Sequence, residues 1–243
     1  MKAQPIPPSH LPVLITRPQP QADRLAADLL AEGLSSVRLV VSPLMQAVFP
    51  QVTLPEGDFN AVILTSEAGA MAAKALRPGL PGTAYCVGRR TAEVARASGF
   101  DATSLGQTAA EMLPALAAMP GPFLYLRGRE ASVDVAAELR AMGKIAQATV
   151  IYAQDPAPLS AEAQALLAKG EKVVVPLYSR RSTRLLVEAI PPAARSLLRP
   201  ILIASPLLQD LPEPMQAQAV VVDTPDGKLM QVAILRAVQT LPP

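Results

Sequence analysis

The stretch Leu11-Pro-Val-Leu-Ile-Thr-Arg-Pro18, together with the helical pattern that follows it, decides the fold class. Its apolar run, Leu11 to Thr16, has the length and composition of a buried strand. After Pro18 the apolar residues change to helical spacing, at i, i+3, i+4, i+7 and i+8, and Gly33 is placed to end the helix. These apolar positions are Ala22, Leu25, Ala26, Leu29 and Leu30. The segment therefore predicts a strand, a loop and a helix.

The same alternation recurs along the whole chain. Further strands are predicted at Val37 to Val41, Ala61 to Thr65, Ala84 to Val87, Phe123 to Arg127, Ala148 to Tyr152, Lys172 to Leu177, Pro200 to Ala204 and Ala217 to Val222. Helices are predicted at Glu67 to Leu76, Thr91 to Ala97, Ala109 to Met119, Val133 to Met142, Ala161 to Ala168, Thr183 to Ile190 and Lys228 to Leu241. Short apolar strands that alternate with amphipathic helices are typical of an α/β fold with parallel sheets covered on both faces. The elements are too many for one small sheet, so the 243 residues favour two domains.

Composition excludes several classes of function. The 22 basic and 20 acidic residues give a net charge of +2 and form no basic stripe, so we expect no nucleic-acid partner. Cys86 and His10 are the only cysteine and histidine, which leaves too few ligands for a zinc site and no histidine for a serine triad. Because Cys86 lies in an apolar strand, we interpret it as an inert core thiol. No glycine-rich phosphate loop is present, and we expect neither a metal nor a cofactor.

The sequence also contains no segment that is typical of a membrane protein. The proline-rich residues Met1 to Pro12 lack the apolar core of a secretory signal, and no apolar stretch reaches the length of a membrane helix. We therefore expect a cytoplasmic chain without a membrane partner, and a monomer.

Hydroxyl and arginine side chains collect where predicted strands turn into helices. In parallel sheets this edge carries the helix N-termini, whose unpaired N–H groups and positive dipole ends bind anions. The alternative is a structural role without ligand binding, in which Ser66, Ser182 and Ser205 only cap helices and the arginines are solvated surface charges. As a set they predict a site for carboxylates, formed by Arg17, Thr65, Ser66, Thr91, Arg127, Gly128, Ser179, Ser182 and Ser205.

Several short motifs, in this order, resemble those of the uroporphyrinogen-III synthase family. They are Leu14-Ile-Thr-Arg-Pro18, Val62-Ile-Leu-Thr-Ser66, Val87-Gly-Arg-Arg-Thr-Ala92, Leu124-Tyr-Leu-Arg-Gly128, Val150-Ile-Tyr152, Leu177-Tyr-Ser179 and Ile203-Ala-Ser-Pro206. The resemblance extends nearly from one end of the chain to the other. It implies two flavodoxin-like domains joined by two antiparallel linker strands, about 44–49 and 148–153. Domain 1 would combine residues 1–43 with 154–243, and residues 44–153 would be the inserted domain 2.

The resemblance also implies a reaction. The family closes hydroxymethylbilane, a linear tetrapyrrole with eight carboxylates, into uroporphyrinogen III with inversion of the last ring and loss of water. Tyr152 matches a tyrosine of the family's linker strand and is the candidate proton donor to the leaving hydroxide. The alternative for Tyr152 is packing alone, and the alternative for the chain is a non-catalytic two-domain sensor or paralogue of the same fold.

The chain departs from the family pattern at one rim of the expected site. Leu207 and Leu208 stand where many members carry threonine, and Pro212 and Pro214 interrupt the helix that follows.

Overall fold

The computed structural model describes residues 11–131 and 133–239. His10 therefore lies outside the described residues. Within them the chain divides into two compact units, each with its own sheet. Unit 1 consists of residues up to Gln46 together with those from Pro156 onward, and unit 2 is Ala47–Asp155.

Strands and helices alternate through both units. In the part of the chain that the structure describes, the strands are β1 (Val13–Ile15), β2 (Leu39–Val41), β3 (Met45–Val48), β4 (Ala61–Leu64), β5 (Thr83–Cys86), β6 (Asp101–Ser104), β7 (Phe123–Gly128), β8 (Ala146–Pro156), β9 (Val173–Leu177), β10 (Leu198–Leu202) and β11 (Val220–Val221). The α-helices are α1 (Gln19–Ala31), α2 (Glu67–Leu76), α3 (Arg89–Ala97), α4 (Ala109–Ala118), α5 (Val135–Ala141), α6 (Ala161–Ala168), α7 (Arg180–Ala189), α8 (Glu213–Gln216) and α9 (Gly227–Gln239). Short 3-10 helices occupy Ser36–Arg38, Arg77–Gly79, Pro192–Leu197 and Ser205–Asp210.

The sheet of unit 1 has the strand order β11-β10-β9-β1-β2, and its strands pair in parallel. Numbered along the chain, this is the order 2-1-3-4-5 of flavodoxin-type sheets. One face packs against α1 and α9 through residues such as Leu29 and Ile234, and the other against α6 and α7 through Leu166 and Leu186. The sheet is therefore covered on both faces, as parallel sheets require.

The six-stranded sheet has the order β3-β8-β7-β4-β5-β6. The pairs from β4 to β8 are parallel, and β3 is hydrogen-bonded beside β8 at the edge. Counted from β4, the strand order is 3-2-1-4-5, which differs from the flavodoxin order. Helices α2 and α3 cover one face around Leu64 and Cys86, and α4 and α5 cover the other around Ile63 and Phe123.

The prediction of an α/β fold with parallel sheets is confirmed, with local differences. Strand β6 was not predicted, because Asp101-Ala-Thr-Ser104 carries only one buried apolar side chain. The first half of the strand expected at Val37 to Val41 is a 3-10 turn, since Val37 is exposed and packs against no core. Helix α7 begins at Arg180 rather than Thr183, because Ser179 caps it.

No helix among the described residues is long and apolar enough to cross a membrane.

Burial of Cys86 predicts a thiol that does not react in the folded protein. Its side chain is fully buried on the inner face of β5, and this burial raises the pKa of the thiol to about 12. Because the thiolate is the reactive form, we expect slow labelling by an aromatic disulfide reagent at mildly alkaline pH. The same reagent should label one thiol per chain rapidly in guanidinium chloride, and rapid labelling of the native protein would show that unit 2 opens readily.

Candidate functional site

Several of the predicted site residues lie together at the carboxyl end of the unit 2 sheet. Tyr152, on β8, and Ser66, which follows β4, are joined by a hydrogen bond of 2.7 Å between their hydroxyl oxygens. The Ser66 oxygen also accepts the backbone N–H of Gly69 at 3.0 Å, which makes Ser66 the N-cap of α2. The phenol is therefore held beside the N-terminus of α2.

A second tyrosine, Tyr125, lies in the same cluster and was not among the predicted site residues. Its hydroxyl is 3.1 Å from the Thr65 hydroxyl, and the ring is almost fully buried. Burial raises the pKa of Tyr125 above its ordinary value, and the hydrogen bond between Tyr125 and Thr65 offsets this only in part. The position of Tyr125 inside the apolar run of β7 could have indicated it, because a tyrosine with a buried ring needs a hydrogen-bond partner for its hydroxyl.

The two hydroxyl pairs line a common cavity of about 370 Å³. Thr108 and Glu130 also contribute to its wall. Two phenols and two aliphatic hydroxyls can both donate and accept hydrogen bonds, so the cavity is suited to a polar group whose protonation changes. Gly128 lies directly against the Tyr152 ring.

Arg127, another predicted residue of unit 2, has partners within the chain. Arg127 donates to the carbonyl oxygens of Gly128 at 3.1 Å and Arg129 at 3.4 Å. Its guanidinium also lies 3.5 Å from the carboxylate of Asp134, the N-cap of α5. Thr91 is buried in the first turn of α3. Arg127 is therefore held in one orientation by groups of the protein itself.

Unit 1 presents a related arrangement at the carboxyl ends of β1 and β9. The guanidinium carbon of Arg17 lies 3.7 Å from the ring centroid of Tyr178, a cation–π contact. Burial raises the pKa of Tyr178, and the nearby charge of Arg17 acts in the opposite direction. Ser179 caps α7 by accepting the Ser182 N–H at 3.2 Å.

Of Ser66, Ser182 and Ser205, only Ser66 caps an α-helix, and its hydroxyl also contacts Tyr152. The cap of α7 is Ser179, and the buried Ser182 hydroxyl instead donates to the Ser179 carbonyl at 2.9 Å. Ser205 is exposed and begins a 3-10 helix whose N-cap is Ala204. Among the described residues, no group of three or more His, Cys, Asp or Glu side chains is placed to hold a metal ion.

Comparison with known proteins identifies the family. The family model described as uroporphyrinogen-III synthase HemD matches residues 23 to 206. The chain belongs to the uroporphyrinogen-III synthase family. A search of curated proteins finds no match.

Two solved synthase structures share the fold. The crystal structure of uroporphyrinogen-III synthetase from Helicobacter pylori 26695 is 16% identical, with a TM-score of 0.65, and the match covers 93% of this chain and 99% of that one. A mutant uroporphyrinogen III synthase from the extremely thermophilic bacterium Thermus thermophilus is 17% identical, with a TM-score of 0.52 and coverage of 95% and 100%. The family is one of cyclising hydro-lyases of tetrapyrrole biosynthesis, so membership favours this activity over a non-catalytic sensor.

The departures from the uroporphyrinogen-III synthase pattern have a structural cause. Leu207 is buried in the core of unit 1, and the partly buried Leu208 packs against the same core, so both leucines contribute to apolar packing. Pro212 is the N-cap of the four-residue helix α8, and Pro214 lies in its first turn, where proline is tolerated. This segment of the chain forms a 3-10 helix at Ser205–Asp210 followed by one turn of α-helix.

An ion-pair cluster joins this segment to α7. The carboxylate of Asp210 accepts from Arg180 at 2.7 and 3.1 Å and from Arg184 at 2.9 Å. These two arginines lower the pKa of Asp210 to about 2. The cluster joins the end of the 3-10 helix at Ser205–Asp210 to the first two turns of α7.

The ion pairs of Asp210 predict a pH-dependent contribution to stability. A carboxyl with a depressed pKa stabilises the folded state above its unfolded pKa of about 3.9, and this contribution is lost as pH falls toward about 2. Asp210→Asn should therefore lower the melting temperature near neutral pH, and the difference from wild type should shrink below pH about 4. Thermal unfolding at several pH values measures this. The neighbouring Gln209→Ala is the control without a titrating group, and a constant difference for Asp210→Asn at all pH values would contradict the assignment.

Proposed function

We propose that the chain cyclises hydroxymethylbilane to uroporphyrinogen III and that the Tyr152 phenol provides the proton for the departing hydroxide. The observation that supports this most is the 2.7 Å hydrogen bond that holds the phenol against Ser66 at the N-terminus of α2. Family membership supplies the reaction class. The fixed phenol supplies a group that can donate a proton.

In the proposed reaction, the lone pair of the terminal pyrrole nitrogen expels hydroxide from the hydroxymethyl group, and Tyr152 protonates it to water. The resulting azafulvene is attacked by the substituted carbon of the far pyrrole, which gives a spiro intermediate. This intermediate fragments and closes again with the ring reversed, and the proton that is lost as the pyrrole regains aromaticity restores the Tyr152 phenol, directly or through water. The net change is the loss of one water.

The protein's main task in this reaction is to hold a flexible substrate in one geometry, because the reactive groups belong to the substrate. Correct placement of two reacting atoms can contribute several kcal/mol or more to the rate. We assign the carboxylate arms to the predicted set of hydroxyls, backbone N–H groups and arginines. This set consists of Arg17, Thr65, Ser66, Thr91, Arg127, Ser179, Ser182 and Ser205.

Several finer expectations remain predictions. They are the division into two flavodoxin-like domains at 43/44 and 153/154 with an antiparallel linker, a monomeric state, a cytoplasmic location and the absence of a nucleic-acid partner. The order 2-1-3-4-5 of the unit 1 sheet supports the first of them for that unit alone.

The proposed function is tested by supplying freshly generated hydroxymethylbilane, without added metal or nucleotide, and separating the product isomers. Spontaneous closure gives the uninverted isomer I, so a sample without protein measures the background. We expect isomer III in excess over that background. Isomer I alone, from a folded and pure protein, would contradict the proposal.

Replacement of Tyr152 separates proton donation from packing. Tyr152→Phe retains the ring and removes only the hydroxyl that contacts Ser66, so we expect turnover to fall about tenfold, at or below the low end of general acid catalysis. The pyrrole nitrogen already assists the departure of hydroxide, and water can replace the phenol in part. Isomer III should remain the main product. Wild-type turnover would mean that Tyr152 only packs, and mainly isomer I would mean that it controls substrate geometry.

The two arginines are predicted to act on binding rather than on isomer choice. Loss of a charge-assisted hydrogen bond costs about 1.5–3 kcal/mol, so Arg17→Ala and Arg127→Ala should each raise KM about tenfold or more. Arg140→Ala is the matched control, because Arg140 also donates to a backbone carbonyl, that of Ala146 at the start of β8. Unchanged kinetics for Arg17→Ala and Arg127→Ala, with the fold intact, would assign both arginines a structural role only.

A further inference from the structure

The pairing of β7 with β8 is irregular beside Tyr152. Arg127 pairs with Val150, but the next residue of β7, Gly128, pairs with Tyr152. Ile151 is therefore an extra residue in β8, which makes this a β-bulge. Bulges commonly occur next to active sites, where they redirect a side chain.

The bulge changes the face on which Tyr152 lies. Neighbouring residues of a regular strand point to opposite faces. Here both Ile151 and Tyr152 pack against the core around Leu64 and Leu126, on the side of α2. The extra residue thus brings the phenol to the face on which Ser66 caps α2.

On that face the Tyr152 ring fills the space that a side chain at Gly128 would need. A Cβ atom on Gly128 would lie 2.6 Å from Cζ, 2.7 Å from the hydroxyl oxygen and 2.9 Å from Cε2 of Tyr152. These distances are too short for any real contact, and the neighbours are part of a rigid ring. Gly128 has no positive φ, so its backbone conformation does not require glycine.

Gly69, in the first turn of α2, borders the ring as well. A Cβ there would lie 3.4 Å from Cε1 of Tyr152 and 3.3 Å from the Ser66 oxygen, which is tight but can be relieved by a small shift. The ring therefore occupies a slot that is bordered by two positions without side chains.

We infer that Gly128 and the bulge at Ile151 are positioning elements that set the Tyr152 phenol against Ser66, rather than contacts to substrate. This inference rests on the proposed function for its kinetic consequence, but the geometry it describes can be measured without substrate. It replaces the role in substrate binding that the sequence predicts for Gly128.

The direct test is Gly128→Ala, studied by NMR of protein with isotope-labelled tyrosine. The chain has four tyrosines and no tryptophan, so the ring signals are few, and Tyr152→Phe identifies those of Tyr152. We expect Gly128→Ala to shift the Tyr152 ring signals strongly and Gly69→Ala to shift them less. The signals of Tyr178, in unit 1, should not move. Gly227→Ala is the control, because nothing lies within 4 Å of a Cβ at that glycine and its φ is not positive.

The kinetic arm separates positioning from substrate contact. Gly128→Ala should lower kcat about tenfold with little change in KM, as expected for Tyr152→Phe. Made in the Tyr152→Phe background, it should lower kcat less than about twofold further, because the hydroxyl whose position it disturbs is already gone. A rise in KM in both backgrounds would overturn the inference in favour of a substrate contact.

Other outcomes also decide the question. If Gly128→Ala does not fold, adding Tyr152→Leu to it should restore folding, because the tyrosine ring then no longer fills the space beside residue 128. Failure to restore folding would contradict the inference. Unchanged Tyr152 signals in Gly128→Ala would contradict it as well. If no variant and no wild type forms isomer III, the proposed function fails, while the NMR result still tests the slot.

Discussion

Parallel strands place all their carboxyl ends at one edge of a sheet, and the helices that follow begin at that edge with unpaired N–H groups. Both units depend on this constraint. Ser66 and Ser179 each cap the helix that follows a central strand, and each accepts a hydrogen bond from one of these N–H groups. In unit 2 the cap has a second partner, the Tyr152 phenol. The N-terminus of α2 thus holds the Ser66 hydroxyl in place, and this hydroxyl in turn holds the Tyr152 phenol, the candidate acid.

The polar cluster of unit 2 is placed against an apolar core. Tyr152 packs on the face of the sheet that carries Leu64 and Cys86, and Tyr125 is buried on the opposite face. A buried phenol without a partner would be costly, and both hydroxyls have partners, Ser66 and Thr65. Their rings supply the packing while their hydroxyls gather at the strand ends, so a stable core and a polar cavity are built from the same side chains.

Much of the fold could be predicted from sequence, because the spacing of apolar residues and the residues that cap helices are local signals. The boundaries of α2 and α6 agree with the spacing of their apolar residues and with the serines before them. Strand β6 was missed, since an edge strand with one buried side chain has no clear period. The strand order of the six-stranded sheet is likewise not encoded in any one segment.

The candidate site was predictable in composition but not in geometry. Sequence reasoning named Ser66, Gly128 and Tyr152, but their mutual contacts depend on a bulge that no local pattern marks. It missed Tyr125, whose partner Thr65 is 60 residues away in the chain. Arg127 was expected to bind carboxylates. The ion pair that orients it joins β7 to Asp134 at the start of α5, and no local pattern indicates this contact. Such contacts arise from the topology, so only the folded structure reveals them.

If the proposed mechanism is correct, Ser66 and Tyr152 act as one unit in the reaction. A double-mutant cycle on kcat with Ser66→Ala, Tyr152→Phe and the double variant measures this coupling. Ser160→Ala serves as the control, because it removes a helix cap, that of α6, without touching a phenol. If the pair acts together, the double variant will be no slower than Tyr152→Phe alone, since the serine has no hydroxyl left to position. If the two effects multiply, the serine and the tyrosine act independently and the account is wrong.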